Sequence, residues 1–360
     1  MKVVVAPDSF GGTLTASEAA AAIADGWRRS RPGDEVVLRP LSDGGEGLLD
    51  VVARPDDTWI RTEVAGPQGH PVDAALLWRT DRTAIIESAL ACGLHLLEPA
   101  QRTPSLATSY GVGQLLDAAR ELGARRILVG LGGTASVDGG VGALTGLAYR
   151  PMVADGSGLK IGADDLPDVT AITRGWSADW DGVEVVLLAD VDATLDEAAP
   201  RFGPQKGARP DEIDTLTAAL RTWAEVATRD LPGEVDPAAP GTGAAGGLGF
   251  GLAAALPGAR LVAGAGEIAR LVDLTSALTA ADLVVTGEGR LDATSEAGKV
   301  PVFLRRTAGC PVAAVVGSVT DDDARAGFLD VEAATDGAPG PQPAREVSAA
   351  AARLAARADG

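Results

Sequence analysis

Four short stretches place carboxylates, in three of them among glycines, directly after an apolar run. They are Ser42-Asp43-Gly44-Gly45-Glu46-Gly47, Gly132–Gly140 with Asp138, Asp190-Val191-Asp192, and Gly287-Glu288-Gly289-Arg290-Leu291-Asp292. Any one alone reads as a turn, because Asp and Gly are ordinary turn residues. Four at strand carboxyl ends suit one cleft, since open α/β sheets bind ligands there. Phosphoryl transfer needs such a kit: backbone N–H groups over phosphates, carboxylates for a divalent cation or a hydroxyl, and cations for developing charge. Asp190, Asp43 and Asp138 are the candidates for metal or hydroxyl work, with Glu288 and Asp292 in support. Lys206, Arg290 and Lys299 are the cations, and Ser9 with the glycine loops at Gly44, Gly45, Gly132, Gly133, Gly246 and Gly247 supplies neutral donors. A lysine exposed in a turn is the plainer reading of Lys206.

The elements that must position these loops are legible. Val3–Ala6 is a β-branched run that stops at Pro7-Asp8-Ser9, a buried strand feeding a loop. Thr15-Ala16-Ser17-Glu18 is a capping box ahead of an Ala-rich helix to Arg29. A strand over Glu35–Leu41 and a helix over Leu48–Ala53 follow. Trp59–Ala65, Ala74–Arg79 and Thr83–Ser88 read as an antiparallel meander that opens a second domain near residue 58. Then come a helix over Ser109–Leu122, strands over Arg126–Val129 and Val183–Leu188, and a long amphipathic helix over Pro210–Arg229. Pro232–Pro240 reads as a linker, and Gly243–Leu256 as a helix opening on a glycine-rich turn. From Ala281 the α/β texture returns, with strands over Leu283–Thr286, Val312–Val316 and Val331–Ala334 and helices over Val300–Ala308 and Ala344–Ala358. The expected fold class is α/β with two α/β domains. Residues 1–57 and 275–360 form a Rossmann-like parallel-sheet domain, and 58–274 an inserted mixed α/β domain.

Composition excludes several classes. With 46% hydrophobic residues the 360-residue chain has ample material for buried cores. A net charge of −19 argues against nucleic acid or an anionic membrane as partner, though a local cation cluster still suits an anionic small substrate. Cys92 and Cys310 are too few for a disulfide framework, which points to a reducing cytoplasm. The first residues reach Asp8 too early for a signal peptide. The uncharged stretch Gly241–Gly258 is too glycine-rich for a membrane span. Within it, Gly241–Gly246 fits G-x-G-x-x-G, but Pro237–Pro240 precedes it instead of a strand, so it reads as close packing or an anion turn at a helix start. A nicotinamide-dependent dehydrogenase rests on that match alone. His70 sits in a turn and His95 amid apolar residues, and two histidines make a His-based triad or zinc site improbable.

The chain resembles the bacterial class I glycerate kinases over nearly its whole length. The resemblance is carried by Ala6-Pro7-Asp8-Ser9-Phe10, Ser42–Gly47, Glu87-Ser88-Ala89 with Gly93-Leu94, Thr108-Ser109-Tyr110-Gly111, and Gly132–Gly140. Asp190-Val191-Asp192, Phe202–Ala208, Gly243–Gly249, and Thr286–Asp292 with Gly298-Lys299-Val300-Pro301 continue it. It implies an ATP- and Mg²⁺-dependent kinase acting on D-glycerate, commonly at the 2-hydroxyl, in organic-acid metabolism. The implied architecture has its site between a Rossmann-like and an inserted domain. Four positions depart from the family pattern: Gly11 stands for a lysine, Val137 for an asparagine, Ala193 opens the place of Asn-Pro-Leu, and Thr294 stands for a glutamine. Each departure is expected to remove a polar group from a ligand-facing loop. The alternative is therefore a diverged paralogue for another small hydroxy acid, or a non-catalytic ligand-binding homologue. The expected partner is a small hydroxy acid, with no nucleic acid and no membrane, and a homodimer is left open.

Overall fold

The structure, a computed structural model, describes residues 1–175, 180–189, 192–291, 299–335 and 343–358. Fifteen strands run through them. The first nine are β1 (Lys2–Val5), β2 (Glu35–Leu38), β3 (Thr58–Ala65), β4 (Pro71–Trp78), β5 (Thr83–Glu87), β6 (Arg126–Gly130), β7 (Tyr149–Val153), β8 (Val169–Arg174) and β9 (Glu184–Ala189). The remainder are β10 (Arg260–Ala263), β11 (Leu283–Thr286), β12 (Arg290–Leu291), β13 (Val312–Val316), β14 (Ser318–Val319) and β15 (Val331–Ala333). The chain divides into two compact units. Unit 1 holds residues 1–43, 50–52 and 263–360; unit 2 holds 44–49 and 53–262. The sequence reading puts these exchanges at 57/58 and 274/275. The later one falls earlier because the helix Gly264–Leu271 belongs to unit 1, with Gly266 against the Phe303 ring.

Unit 1 is an α/β layer on a five-stranded sheet in the order β15-β13-β11-β1-β2, with every neighbouring pair parallel. Val3, Val5, Val285, Ala313 and Val315 of that sheet are buried against Ile23, Trp27, Val347 and Leu354. Those four come from the helices Ala16–Ser30 and Ala344–Arg357. The first helix starts as its sequence dictates: Thr15 Oγ1 accepts from the Glu18 N–H at 3.2 Å while the Glu18 carboxylate accepts from the Thr15 N–H at 2.9 Å. A parallel sheet buried on its faces explains the continuous apolar runs of β1, β11 and β13.

Unit 2 carries a six-stranded mixed sheet in the order β10-β9-β6-β5-β4-β3. The meander β3-β4-β5 is antiparallel, and β5, β6 and β9 then run parallel. Its core gathers Leu76, Ile86, Val129, Leu187, Leu220, Trp223 and Phe250. The helix Pro210–Asp230 contributes Leu216, Leu220 and Trp223 at helical spacing, and the Trp223 indole donates to Gly139 O at 2.9 Å. The pair β7–β8 was not legible, because Tyr149–Val153 carries a proline and an exposed arginine inside a five-residue strand.

Pro232–Pro240 is not a linker between units. It lies inside unit 2, where Pro237 O accepts from the Leu195 N–H at 3.0 Å and from the Thr242 hydroxyl at 2.7 Å. The glycine-rich segment after it forms a short 3₁₀ turn, Ala244–Gly247, and a buried eight-residue helix, Leu248–Ala255. Among the described residues no helix is long and apolar enough to cross a membrane.

Candidate functional site

The C-terminal ends of β1 and β11 build the first group of site residues, all in unit 1. Beyond β1 the chain turns at Pro7-Asp8, and the Asp8 N–H donates to Gly287 O at 2.8 Å. The Leu41 N–H donates to Pro7 O at 2.9 Å, which brings Ser42 and Asp43 alongside the same turn. After β11, Glu288 is buried, and its Oε2 lies 3.6 Å from Lys299 Nζ. Asp8 Oδ1 accepts from the Ser9 N–H at 2.6 Å.

The electrostatic result is a strained carboxyl set. Burial pushes the half-buried Asp8 carboxyl well above the usual carboxylate range, and the Asp43 and Glu288 charges add to that. The Ser9 N–H and the Lys299 ammonium oppose the rise without cancelling it. Asp8 is thus the residue of this group that sequence reasoning left out of the site. Its signal was the Pro-Asp-Ser break after β1, which reads equally well as a turn. Arg290 is exposed on the two-residue ladder β12–β14. Asp190 and Asp292, two of the expected metal ligands, and Thr294 lie outside the described residues. Among the described residues no cluster of three or more His, Cys, Asp or Glu is arranged to hold a metal ion.

The second group is in unit 2, where glycines let backbone meet backbone. Gly132 N–H donates to Gly44 O at 3.1 Å. A Cβ on Gly130 would stand 2.5 Å from that oxygen, and one on Gly132 would stand 2.4 Å from Gly45 Cα. No side chain fits at either position. Glu87, at the end of β5, accepts from the N–H groups of Gly47 (3.0 Å) and Leu49 (3.3 Å), holding the start of the helix Leu48–Val52. Gly246 and Gly247 sit on the Ser136–Gly139 stretch, the Gly139 N–H donating to Gly246 O at 3.0 Å. The G-x-G-x-x-G match is therefore close packing, with no strand before it after the helix Pro210–Asp230.

Lys206 is not a surface lysine. It is 3% exposed, and its ammonium donates to Ser136 O at 2.7 Å and Thr134 Oγ1 at 3.1 Å. It borders a small cavity of about 80 Å³ together with Gly132, Gly133 and Thr134. Cys92 is buried nearby: burial pushes its thiol up, Asp138 adds to the shift and Lys206 opposes it.

Asp138 stands elsewhere. It is fully buried, and its carboxylate accepts from Ser109 N–H (2.8 Å), Ser109 Oγ (2.8 Å), Gly140 N–H (3.1 Å) and Gly142 N–H (3.3 Å). Burial raises its pKa and those donors hold it down. Its oxygens are committed to protein donors, so the geometry is that of an anchor for the helix Val141–Gly146, not of a group that meets a hydroxyl. Val137 and Ala193 are also fully buried, Val137 in the unit 2 core and Ala193 with its carbonyl accepting from Gly241 and Gly243. The expectation that these two departures strip polar groups from ligand-facing loops is corrected: both side chains face the interior. Gly11 has φ +26° in an open turn. His70 is exposed as expected, and His95, also exposed, lies 3.9 Å from Glu46.

Comparison with known proteins fits this arrangement. A family model described as the glycerate kinase family matches residues 3–359. The glycerate kinase of Haemophilus influenzae is 40% identical over 331 residues, covering 89% of this chain and 87% of the relative. The glycerate kinase of Bacillus subtilis and the glycerate 2-kinase of Escherichia coli are each 38% identical over 331 residues, with 89% of this chain and 86% of each relative covered. A crystal structure described as a glycerate kinase 2 from Salmonella typhimurium superposes with a TM-score of 0.80 at 35% identity, covering 99% of this chain and 97% of that one.

Two measurements check the site. An acid whose folded pKa is raised loses stability as pH climbs from its unfolded value, about 3.9, through its folded one. Asp8→Asn is therefore expected to be more stable than the parent at pH 7.5 without divalent cation, with the gain vanishing near pH 4; equal denaturation midpoints at pH 7.5 would contradict the shift. Asp138→Ala leaves four buried donors without their acceptor and is expected to lose about 3–5 kcal/mol. Val137→Asn, which buries an amide, should lose about 1–3 kcal/mol, both losses being read from urea titrations.

Proposed function

We propose, for a chain that belongs to the glycerate kinase family, that it transfers the γ-phosphoryl group of ATP to D-glycerate. The product is 2-phosphoglycerate, made with Mg²⁺ in organic-acid metabolism in the cytoplasm. The observation that carries this reading, beyond family membership, is the Asp8–Asp43–Glu288 carboxyl set, in which burial raises Asp8 and the Asp43 and Glu288 charges add to the rise. Charge held at such a cost suits a proton acceptor or a cation ligand.

In the transfer, the bond from the γ-phosphorus to the β,γ-bridging oxygen breaks and a bond to the acid's hydroxyl oxygen forms. ADP leaves, and the hydroxyl proton passes to a base. Asp8, raised by burial and by its carboxylate neighbours, is the group suited to take it. Kinases hold Mg²⁺ through one or two carboxylates and the substrate's phosphates, and the oxygen-only donors here fit that habit. Asp43, with Asp190 and Asp292, would hold it, and the cation would supply neutralisation of the transferring group. Lys206 and Arg290 would grip carboxylate or phosphate. Ser9, Gly44, Gly45, Gly132, Gly133, Gly246 and Gly247 would offer neutral donors, and the Glu288–Lys299 pair would order the loop after β11. Asp138 leaves the catalytic set and becomes a positioning group. The buried settings of Val137 and Ala193 weaken the reading of a homologue without activity.

The experiment is ADP release from the full chain with ATP, Mg²⁺ and a panel of small hydroxy acids, the product identified by phosphorus NMR. ADP formation that requires D-glycerate and yields the 2-phosphate is expected. Asp8→Asn is expected to reduce kcat by about 10²–10⁴ while remaining folded. Folded enzyme releasing no acid-dependent ADP across the panel would overturn the reading, and full activity in Asp8→Asn would remove Asp8 from the proton's path.

A further inference from the structure

The cavity beside Lys206 is small, and its lining mixes polar Lys206, Thr134 and Gln205 with apolar Leu94, Phe202 and Ala245. The ammonium donates to Ser136 O and Thr134 Oγ1 at 2.7 and 3.1 Å. At about 80 Å³, and with a water-sized occupant needing about 10–15 Å³, the space takes roughly five to eight non-hydrogen atoms. Two larger grooves are less suited to an acid. The one of about 610 Å³ is lined by Asp155, Asp165 and Asp168 against Lys160 alone. The one of about 490 Å³ has Arg270 as its sole ionisable side chain, and that guanidinium already binds Glu267.

One wall residue is held against its own preference. Ala245 has φ 56° and ψ 36°, the left-handed region that L-residues with a Cβ enter at a cost, and the residues that follow it at φ 68° and φ 88° are both glycines. Glycine at 245 would relax the backbone and remove a methyl from the cavity wall. An alanine kept there despite the strain makes sense if the methyl itself is needed.

Resting on the kinase reading above, we propose that this cavity seats the hydroxy acid, with its carboxylate toward Lys206 and Thr134, and that Ala245 and Phe202 limit it to a three-carbon chain. Lys206 and Thr134 set the charge that is accepted. Phe202, half-buried and capped by the Arg201 guanidinium 5.5 Å from its ring centroid, sets the length on the other side.

The test compares kcat/KM for D-glycerate and the four-carbon D-erythronate in the full chain with ATP and Mg²⁺. The parent is expected to favour D-glycerate by about 10–200-fold, the range that one extra carbon costs in a fitted pocket. Phe202→Ala is expected to narrow that ratio by about tenfold or more, and Ala245→Gly by about threefold. Ala245→Gly relieves strain, so its thermal midpoint should not fall, which separates a wall role from a folding role. Both variants keeping the parental ratio while still turning over D-glycerate would overturn the seat and leave the kinase reading standing. A parent that uses both acids equally would overturn the length limit. No ADP from the parent with either acid would overturn the kinase reading itself, and this inference with it.

Discussion

Backbone packed directly on backbone is the constraint on which the rest of unit 2 depends. The Gly132 N–H reaches Gly44 O because neither Gly130 nor Gly132 carries a side chain, and a Cβ at either place would overlap the Gly44–Gly45 backbone. The Leu131 N–H donates in turn to Leu188 O, at the end of β9, and the Glu87 carboxylate ties Gly47 and Leu49 to the end of β5. The loops after three parallel strands are thereby held at fixed separation. Fixed loops are what an anion site requires, since donors that must be ordered on binding lose much of their worth.

Charge in this protein is arranged locally and against its global sign. The chain carries −19 overall, yet a lysine is buried in unit 2 among hydroxyl and carbonyl acceptors. In unit 1, three carboxylates gather with Lys299 at the ends of β1 and β11. Neither grouping stabilises the fold by itself. Burying a charge costs free energy, and like charges raise one another's pKa. Asp138 shows the opposite solution in the same chain. Its carboxylate is fully buried, but four donors surround it, and it fixes the turn into the helix Val141–Gly146. The contrast separates an anchor from a site: the anchor's donors are complete within the protein, whereas Asp8 gains one N–H and the Lys299 charge against two repelling neighbours.

The two fully buried departures from the family pattern sharpen the same distinction. Read along the chain, Val137 and Ala193 sit inside acid-and-glycine loops and look like lost ligands. In the structure they fill the interior, with 0% exposure at both. Residues 134–140 are all buried, and composition alone does not say that such a loop turns its side chains inward. Lys206 depends on the same kind of information. Along the chain it reads either as a turn lysine or as a site cation, and only the approach of Thr134 and Ser136, some seventy residues earlier in the chain, makes it a buried cation.

What the sequence by itself determined was the set of elements and their order. Period-two and continuous apolar runs, the Thr15–Glu18 capping box and the glycine breaks are local signals, readable from neighbouring residues. They marked the strands that carry the loops, the antiparallel meander, and the return of α/β texture after Ala281. What only the tertiary structure decided was which polar residues meet. Asp8 owes its raised pKa first to burial and then to Asp43 and Glu288, and Glu288 stands 280 positions away in the chain. Asp138 meets the Ser109 amide and hydroxyl, and Ala245 takes a left-handed conformation in the lining of the cavity beside Lys206. Those relations depend on register and on distances of about 3 Å across remote segments, where burial and mutual repulsion, not residue type, set the chemistry.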